Sequence, residues 1–147
     1  MDEAFIQSVV AGFEAGTWPV AEWRHLHHLV IAVHYIREAP DPMSSLRDGI
    51  RNYNLSQGGE NTEDRGYHET ITRFWLEIVR AYIAGLPAGL PRVEVTRRVV
   101  EEFTPQRDLF VSYYDFDVLK SRHARAVWIP PNQAPPGITS IFPTPSE

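Results

Sequence analysis

The apolar residues that follow Asp2 are spaced by three or four positions, the pattern of an amphipathic helix with one buried face. They are Phe5, Ile6, Val9, Val10 and Phe13. Asp2 is a suitable N-cap, and Gly16 is suited to close the helix because glycine readily takes the left-handed conformation found at helix ends. The pattern therefore predicts a first helix between Asp2 and Gly16.

A second apolar segment, rich in valine and isoleucine, begins near Ala21 or Glu22 and extends to about Glu38, where Pro40 stops it. A buried strand is an alternative for its interior, because a continuous apolar run fits either structure. The length of about 16 residues favours a helix, since strands are usually four to eight residues long.

Three more helices are predicted further along the chain. They run from Pro42 to the glycine pair Gly58–Gly59, from Tyr67 to Ala84, and from Pro91 to about Phe103. The polar residues between Gly58 and Gly66 predict a loop. The helix that begins at Tyr67 has the clearest apolar face of the chain.

The C-terminal part is predicted to be less regular. Two short helices fit near 108–114 and 117–125, and six of the 12 prolines follow between Pro130 and Pro145. We therefore expect an all-α fold: a compact bundle of about four main helices, short C-terminal helices and an extended proline-rich tail. Residues 1–129 would form a single helical domain and 130–147 the tail, part of which should dock through Ile138, Ile141 and Phe142.

Composition narrows the possible functions. The chain has 147 residues with a formal net charge of -5 and no run of five or more basic residues, which argues against nucleic acid as a partner. It contains no cysteine, so any metal would need nitrogen and oxygen ligands. The N-terminus is acidic and no stretch of 18 apolar residues occurs, so we expect a cytoplasmic protein that does not interact with membranes.

Histidines lie on the predicted apolar face of the second helix. At 100° per residue, His25 falls within the same stripe as Leu29 and Ile36, and His28 falls at its edge. His27 and His34 fall on the opposite side, where we expect surface or intermediate positions with a structural role. His25 and His28 are therefore the candidates for chemistry on this helix.

The helix predicted from Tyr67 carries a third candidate. His68 shares its apolar face with Trp75 and Val79, and Glu69 lies at the margin of that face. If the second and fourth helices pack together near their N-terminal turns, His68 and Glu69 converge with His25 and His28.

Three histidines on two facing helices predict a metal site. His25 and His28 are three residues apart and project side by side, and His68 would complete a three-nitrogen site for a divalent metal such as Zn, Fe, Mn or Ni, with water in an open position. Exchanging one imidazole for Glu69 or Glu22 would give two histidines and a carboxylate, a set that suits Fe(II). The leading hypothesis is a metal-dependent enzyme acting on a small organic molecule, with Glu69 as ligand or base.

Two alternatives use the same residues. In a metal-free isomerase, cyclase or lyase, a histidine paired with Glu69 would act as acid or base, and Tyr67, Tyr113 or Tyr114 would polarise a carbonyl. Of these phenols, Tyr114 joins Glu69 as a candidate catalytic residue. In the other alternative, the histidines are only core residues of a non-catalytic helical module that binds a small ligand or a partner. A homodimer is compatible with all three hypotheses, because the tail could cross to a neighbour.

Several short motifs together resemble a family of small bacterial proteins of unknown function. The motifs are Trp23-x-His25-x-x-His28-Leu29, Gly66-Tyr67-His68-Glu69-Thr70-x-Thr72-x-x-Trp75, Tyr113-Tyr114 and Ser121-x-x-Ala124-Arg125. The likeness extends roughly from Trp23 to Pro131, and Trp23 stands where the family pattern has Phe. The resemblance implies that His25, His28, His68 and Glu69 form one set, without indicating a reaction.

Overall fold

The computed structural model describes residues 1–138 and 140–142. All regular structure within these residues is helical, which confirms the all-α prediction, and no helix among them is both long and apolar enough to cross a membrane. Five helices have 12 to 16 residues and a sixth has five. They are α1 (Glu3–Ala15), α2 (His25–Glu38), α3 (Pro42–Ser56), α4 (Glu69–Ala84), α5 (Arg92–Phe103) and α6 (Arg122–Ala126).

The predicted caps account for the bounds of the first and third helices. The Asp2 carboxylate accepts a hydrogen bond from the Phe5 N–H at 2.8 Å, and the Asp41 carboxylate accepts one from the Ser44 N–H at 3.2 Å. Gly16 closes α1 with φ at 70°, a conformation that favours glycine. These ends depend on neighbouring residues alone, and the sequence prediction of them is confirmed.

Helix α2 begins three to four residues later than predicted. Val20–Glu22 forms a separate 3₁₀ turn, and the chain is extended at Arg24 before the helix starts at His25. The His27 imidazole stabilises this start, because its Nδ1 accepts a hydrogen bond from the Arg24 N–H at 2.8 Å. His25 is consequently the first residue of the helix rather than a residue of its second turn.

Helix α2 lies at the centre of the bundle and contacts α1, α3, α4 and α5. One apolar cluster includes its residues Leu29 and Val33 together with side chains of α4 and α5. A second includes Val30 and Ile31 together with side chains of α1 and α3. Because α2 is buried on two sides, it has no single apolar stripe.

The C-terminal part forms less helix than predicted. Leu109–Tyr113 is a 3₁₀ helix, and the last helix begins only at Arg122, where the Ser121 hydroxyl accepts a hydrogen bond from the Ala124 N–H at 3.1 Å. In the tail, Phe142 is buried and stacks on Phe74 with ring centroids 5.4 Å apart. Ile138 and Ile141 are exposed, contrary to the expectation that they dock, and the rest of the predicted tail, residues 139 and 143–147, lies outside the described residues.

Candidate functional site

A cavity of about 780 Å³ opens between α2, α3, α4 and the segment 107–119. Its size is in the range of cavities that bind small molecules. The apolar part of its wall comes mainly from Leu29, Leu46, Ile50, Trp75, Leu76 and Phe110. We call it the main cavity; the apolar body of a ligand would find apolar side chains to pack against there.

His25 lines the main cavity and keeps one nitrogen free of the backbone. Its Nε2 lies 3.1 Å from the carbonyl oxygen of Phe103, so Nε2 carries the proton and donates, and Nδ1 remains as an acceptor. The ring meets Trp75 edge to face with centroids 4.7 Å apart, which restricts its orientation. Burial lowers the pKa of His25, so the neutral tautomer dominates at pH 7.

His28 lines the same cavity and forms no hydrogen bond with any described residue. Its ring stands nearly perpendicular to Trp23, with centroids 5.3 Å apart. Desolvation by the surrounding protein lowers the pKa of His28, and repulsion from the neighbouring His25 and His27 lowers it further. His28 is nonetheless an exposed residue, so solvent offsets part of the desolvation. His28 is thus a neutral imidazole with both nitrogens available.

His68 is the N-cap of α4, not a residue of its apolar face, which corrects the predicted start at Tyr67. Its Nδ1 accepts a hydrogen bond from the Ile71 N–H at 3.1 Å, and its Nε2 donates to the Val118 carbonyl oxygen at 2.9 Å. Burial lowers the pKa of His68, which favours the neutral tautomer that these two bonds require. Both ring nitrogens are therefore engaged in holding the fold, although the side chain borders the main cavity.

The structure does not gather the predicted metal ligands into one set. Within residues 1–138 and 140–142, no three His, Asp or Glu side chains lie together as a candidate metal-binding group. His68 would have to break its helix cap or its bond to Val118 to offer a lone pair to a metal. Metal binding at the remaining pair, His25 and His28, stays a prediction.

Glu69 is held by an arginine and a tyrosine instead of a histidine. Its carboxylate accepts two hydrogen bonds from Arg47, at 2.9 and 2.8 Å, and one from the Tyr67 hydroxyl at 2.5 Å. The bond from Arg47 holds the pKa of Glu69 below its usual range. Glu69 borders a second cavity of about 410 Å³, which we call the polar cavity, and Tyr67 borders both cavities.

Tyr114, the other predicted catalytic residue, lies in the core. Its hydroxyl donates to the carbonyl oxygen of Ile129 at 2.7 Å, and the side chain is almost completely buried. It borders neither cavity. The bond to Ile129 fixes the chain that follows α6 to the bundle, which is a structural role.

His27 and His34 differ in burial, although the sequence predicts that both lie on the same side of α2. His27 is buried against Trp18 and Trp23, with ring centroids 5.0 and 5.2 Å apart, so the prediction of a surface or intermediate position is wrong. His34 is half-buried, as predicted, and its Nδ1 lies 3.1 Å from an Arg92 nitrogen that donates to it. His27 lies at the interface with α1 because α2 has packed neighbours on more than one side.

Sequence reasoning did not identify Arg47. It lies on α3, 22 positions before Glu69, and its guanidinium reaches that carboxylate only because α3 packs beside α4. No local pattern signals such a pair, since an arginine on the polar face of a helix is ordinarily solvated.

Acidification should destabilise the protein through its histidines. Burial lowers the pKa of five of them in the folded state, while the unfolded chain binds protons near pH 6.5. The five are His25, His27, His28, His34 and His68. The unfolded state therefore holds more protons below about pH 6.5, and the free energy of unfolding, measured in urea, should be lower at pH 5 than at pH 7.5.

The His68→Asn variant is the control for this prediction. Asparagine can still cap α4 but does not titrate, so the variant should lose less stability than the wild type between pH 7.5 and pH 5. An unfolding free energy that rises on acidification, or an equal loss in both proteins, would contradict this assignment.

The geometry leaves His25 and His28 as the histidines with nitrogens available at the main cavity, and places Tyr67 between the two cavities. The sequence resemblance implies that His68 and Glu69 act with them. In the structure, however, His68 bonds the backbone of Ile71 and Val118, and Glu69 bonds Arg47 and Tyr67. Comparison of the chain with protein-family models, curated proteins and solved structures finds no match.

Proposed function

We propose that the protein binds a small organic molecule in the main cavity and catalyses a proton transfer on it, with His28 as general base. One observation carries the proposal: a neutral imidazole without a protein hydrogen-bond partner among the described residues borders a cavity of ligand size. A general base needs a free lone pair within reach of substrate, and His28 has one.

The other residues of the cavity define the kind of substrate. Leu46, Ile50 and Phe110 provide apolar surface for the body of the molecule. Nδ1 of His25 is an acceptor whose tautomer is set by the bond of Nε2 to Phe103, so it suits a substrate hydroxyl or N–H. His28 would take a proton from an acidic C–H or hydroxyl and return it at another atom of the substrate or, in a lyase, to the group that leaves with the electron pair of the broken bond. This chemistry is that of an isomerase, a cyclase or a lyase.

A metal-dependent version of the same site is the second candidate. His25 and His28 are three residues apart on α2 and border one cavity, which is the arrangement of two ligands to one ion. The further ligands would have to be water or substrate oxygen, because His68 is engaged on both nitrogens. Metal analysis of the purified, untagged protein separates the two candidates: stoichiometric Zn, Fe, Mn or Ni supports this one.

Proton transfer can be tested before the natural substrate is known. Pools of small ketones, aldehydes, esters and hydroxy acids are incubated with the protein in D₂O, and the loss of substrate C–H signals is followed by NMR. The proposal predicts enzyme-dependent exchange of deuterium into at least one compound. The His28→Gln variant should slow that exchange by about 10²–10⁴-fold, the usual contribution of a general base.

The matched control is His123→Gln, at an exposed position on α6 that borders neither cavity. It should exchange as fast as the wild type. Exchange that survives in His28→Gln would overturn the role of His28. Compounds that bind in the cavity without any exchange would instead support a non-catalytic ligand-binding module. The predicted cytoplasmic location and homodimer have no bearing on this experiment and stay predictions.

A further inference from the structure

The polar cavity differs in character from the main cavity. Three arginines border it, Arg47 and Arg51 from α3 and Arg125 from α6, together with Tyr67 and Glu69. Guanidinium groups gathered around a concave surface attract anions, and the effect is local in this chain because its formal net charge is -5.

The carboxylates of this cavity already have partners. Glu69 is bound by both arms of the Arg47 guanidinium and by the Tyr67 hydroxyl. Glu63, the other acidic residue at the cavity, is largely exposed and lies 3.5 Å from Arg122. Arg51 and Arg125 therefore carry charges that no carboxylate among the described residues contacts.

Arg125 is held in place by backbone groups alone. Its guanidinium donates to the carbonyl oxygens of Gly66 at 2.8 Å, Tyr67 at 3.3 Å and Leu119 at 3.4 Å. Carbonyl oxygens orient an arginine without neutralising its charge, and a guanidinium has five N–H groups, so donors remain for a ligand. An ordered, uncompensated arginine loses little side-chain entropy when an anion binds.

Arg51 of α3 supplies the second charge. Its guanidinium carbon lies 6.0 Å from the centroid of the Tyr67 ring, within the range of a cation–π contact, and its side chain donates no hydrogen bond to a described residue. All five of its N–H groups are available. Arg51 and Arg125 thus border one cavity from α3 and from α6, and both contact Tyr67.

We propose that the polar cavity is an oxyanion-binding site, which takes a phosphate, sulfate or carboxylate group between Arg51 and Arg125. Arginine binds these groups through paired, charge-assisted hydrogen bonds, the same geometry by which Arg47 holds Glu69. The site is separate from the base His28 and does not depend on proton transfer in the main cavity.

The test uses the full-length protein and three simple anions. Inorganic phosphate, sulfate and acetate are titrated by calorimetry at pH 7.5, with sodium chloride keeping the ionic strength constant. Saturable binding of at least one anion is expected, and the anion that binds most tightly identifies the preferred group. Arg51→Gln should weaken that binding at least tenfold, and Arg51→Lys should weaken it less because the charge remains.

The matched control is Arg37→Gln, which removes the same charge from an exposed position of α2 that borders neither cavity. It should bind the anion like the wild type, and so should His28→Gln, which separates this site from the proposed base. The proposal is overturned if none of the three anions binds saturably, or if Arg51→Gln binds as tightly as Arg37→Gln. The unfolding midpoint of each variant verifies that Arg51→Gln is folded, as expected for a side chain without hydrogen bonds to described residues.

Discussion

The Phe74→Ala variant should be less stable than the wild type by about 3–5 kcal/mol, the usual cost of removing a buried phenylalanine ring. Phe74 of α4 is completely buried and lies 5.1 Å from the Tyr113 ring and 5.4 Å from the Phe142 ring, measured between centroids. Its loss leaves a cavity where α4, the 3₁₀ helix and the tail meet. The difference in free energy of unfolding is measured by equilibrium denaturation in urea.

The control for this change is Phe116→Ala. Phe116 makes one edge-to-face contact with Tyr114 but is 40% exposed, so less apolar surface returns to water when it is truncated. Its cost should be clearly smaller, at about 1 kcal/mol. Equal losses in the two variants would show that Phe74 is not at the centre of the core.

The Gly66→Ala variant should lose at least about 2 kcal/mol, because it combines an unfavourable backbone conformation with a collision. Gly66 has φ at 82°, and a Cβ atom there would lie 2.0 Å from the carbonyl oxygen of Glu60 and 2.8 Å from the side-chain oxygen of Asn61. The loop must move to relieve these contacts. Tyr67 follows Gly66 directly and borders both cavities. Anion binding in the polar cavity should therefore also weaken, and phosphate titration of the folded variant measures this.

Gly58→Ala isolates the conformational contribution. Gly58 has nearly the same φ, 83°, but a Cβ atom there would meet nothing within 4 Å. This variant should show only the conformational cost, about 1 kcal/mol, and should leave both cavities unchanged. If Gly66→Ala is no less stable than Gly58→Ala, the tight packing of the loop at Gly66 is wrong.

The loop before α4 connects these predictions with the candidate sites. Asn61 fixes it: its side-chain oxygen accepts hydrogen bonds from the Tyr67 N–H and from Asn54, both at 3.0 Å. The same loop presents Tyr67 to the two cavities and Glu69 to Arg47. A change in its path would therefore alter the main cavity and the polar cavity together.

The sequence by itself determined the five long helices, and most of their ends, because these depend on neighbouring residues. Asp2 and Asp41 cap the helices that follow them, and Gly16 closes the first, all by bonds or conformations within a few positions. The apolar spacing similarly made His25 a candidate, and the structure places it at the main cavity together with His28.

The tertiary structure alone decided which histidines are buried and which ring nitrogens remain available. The position of a residue around a helix predicts its burial only when the helix has one buried face. Because α2 is packed on two sides, His27 is buried although it lies opposite the predicted apolar stripe, and His28 borders a cavity. His68 caps α4 through a local bond from the Ile71 N–H, but its other ring nitrogen donates to Val118, 50 positions away, and no local pattern predicts that bond. Arg51 and Arg125 come together for the same reason: contacts between distant parts of the chain depend on packing, which spacing along the sequence does not specify.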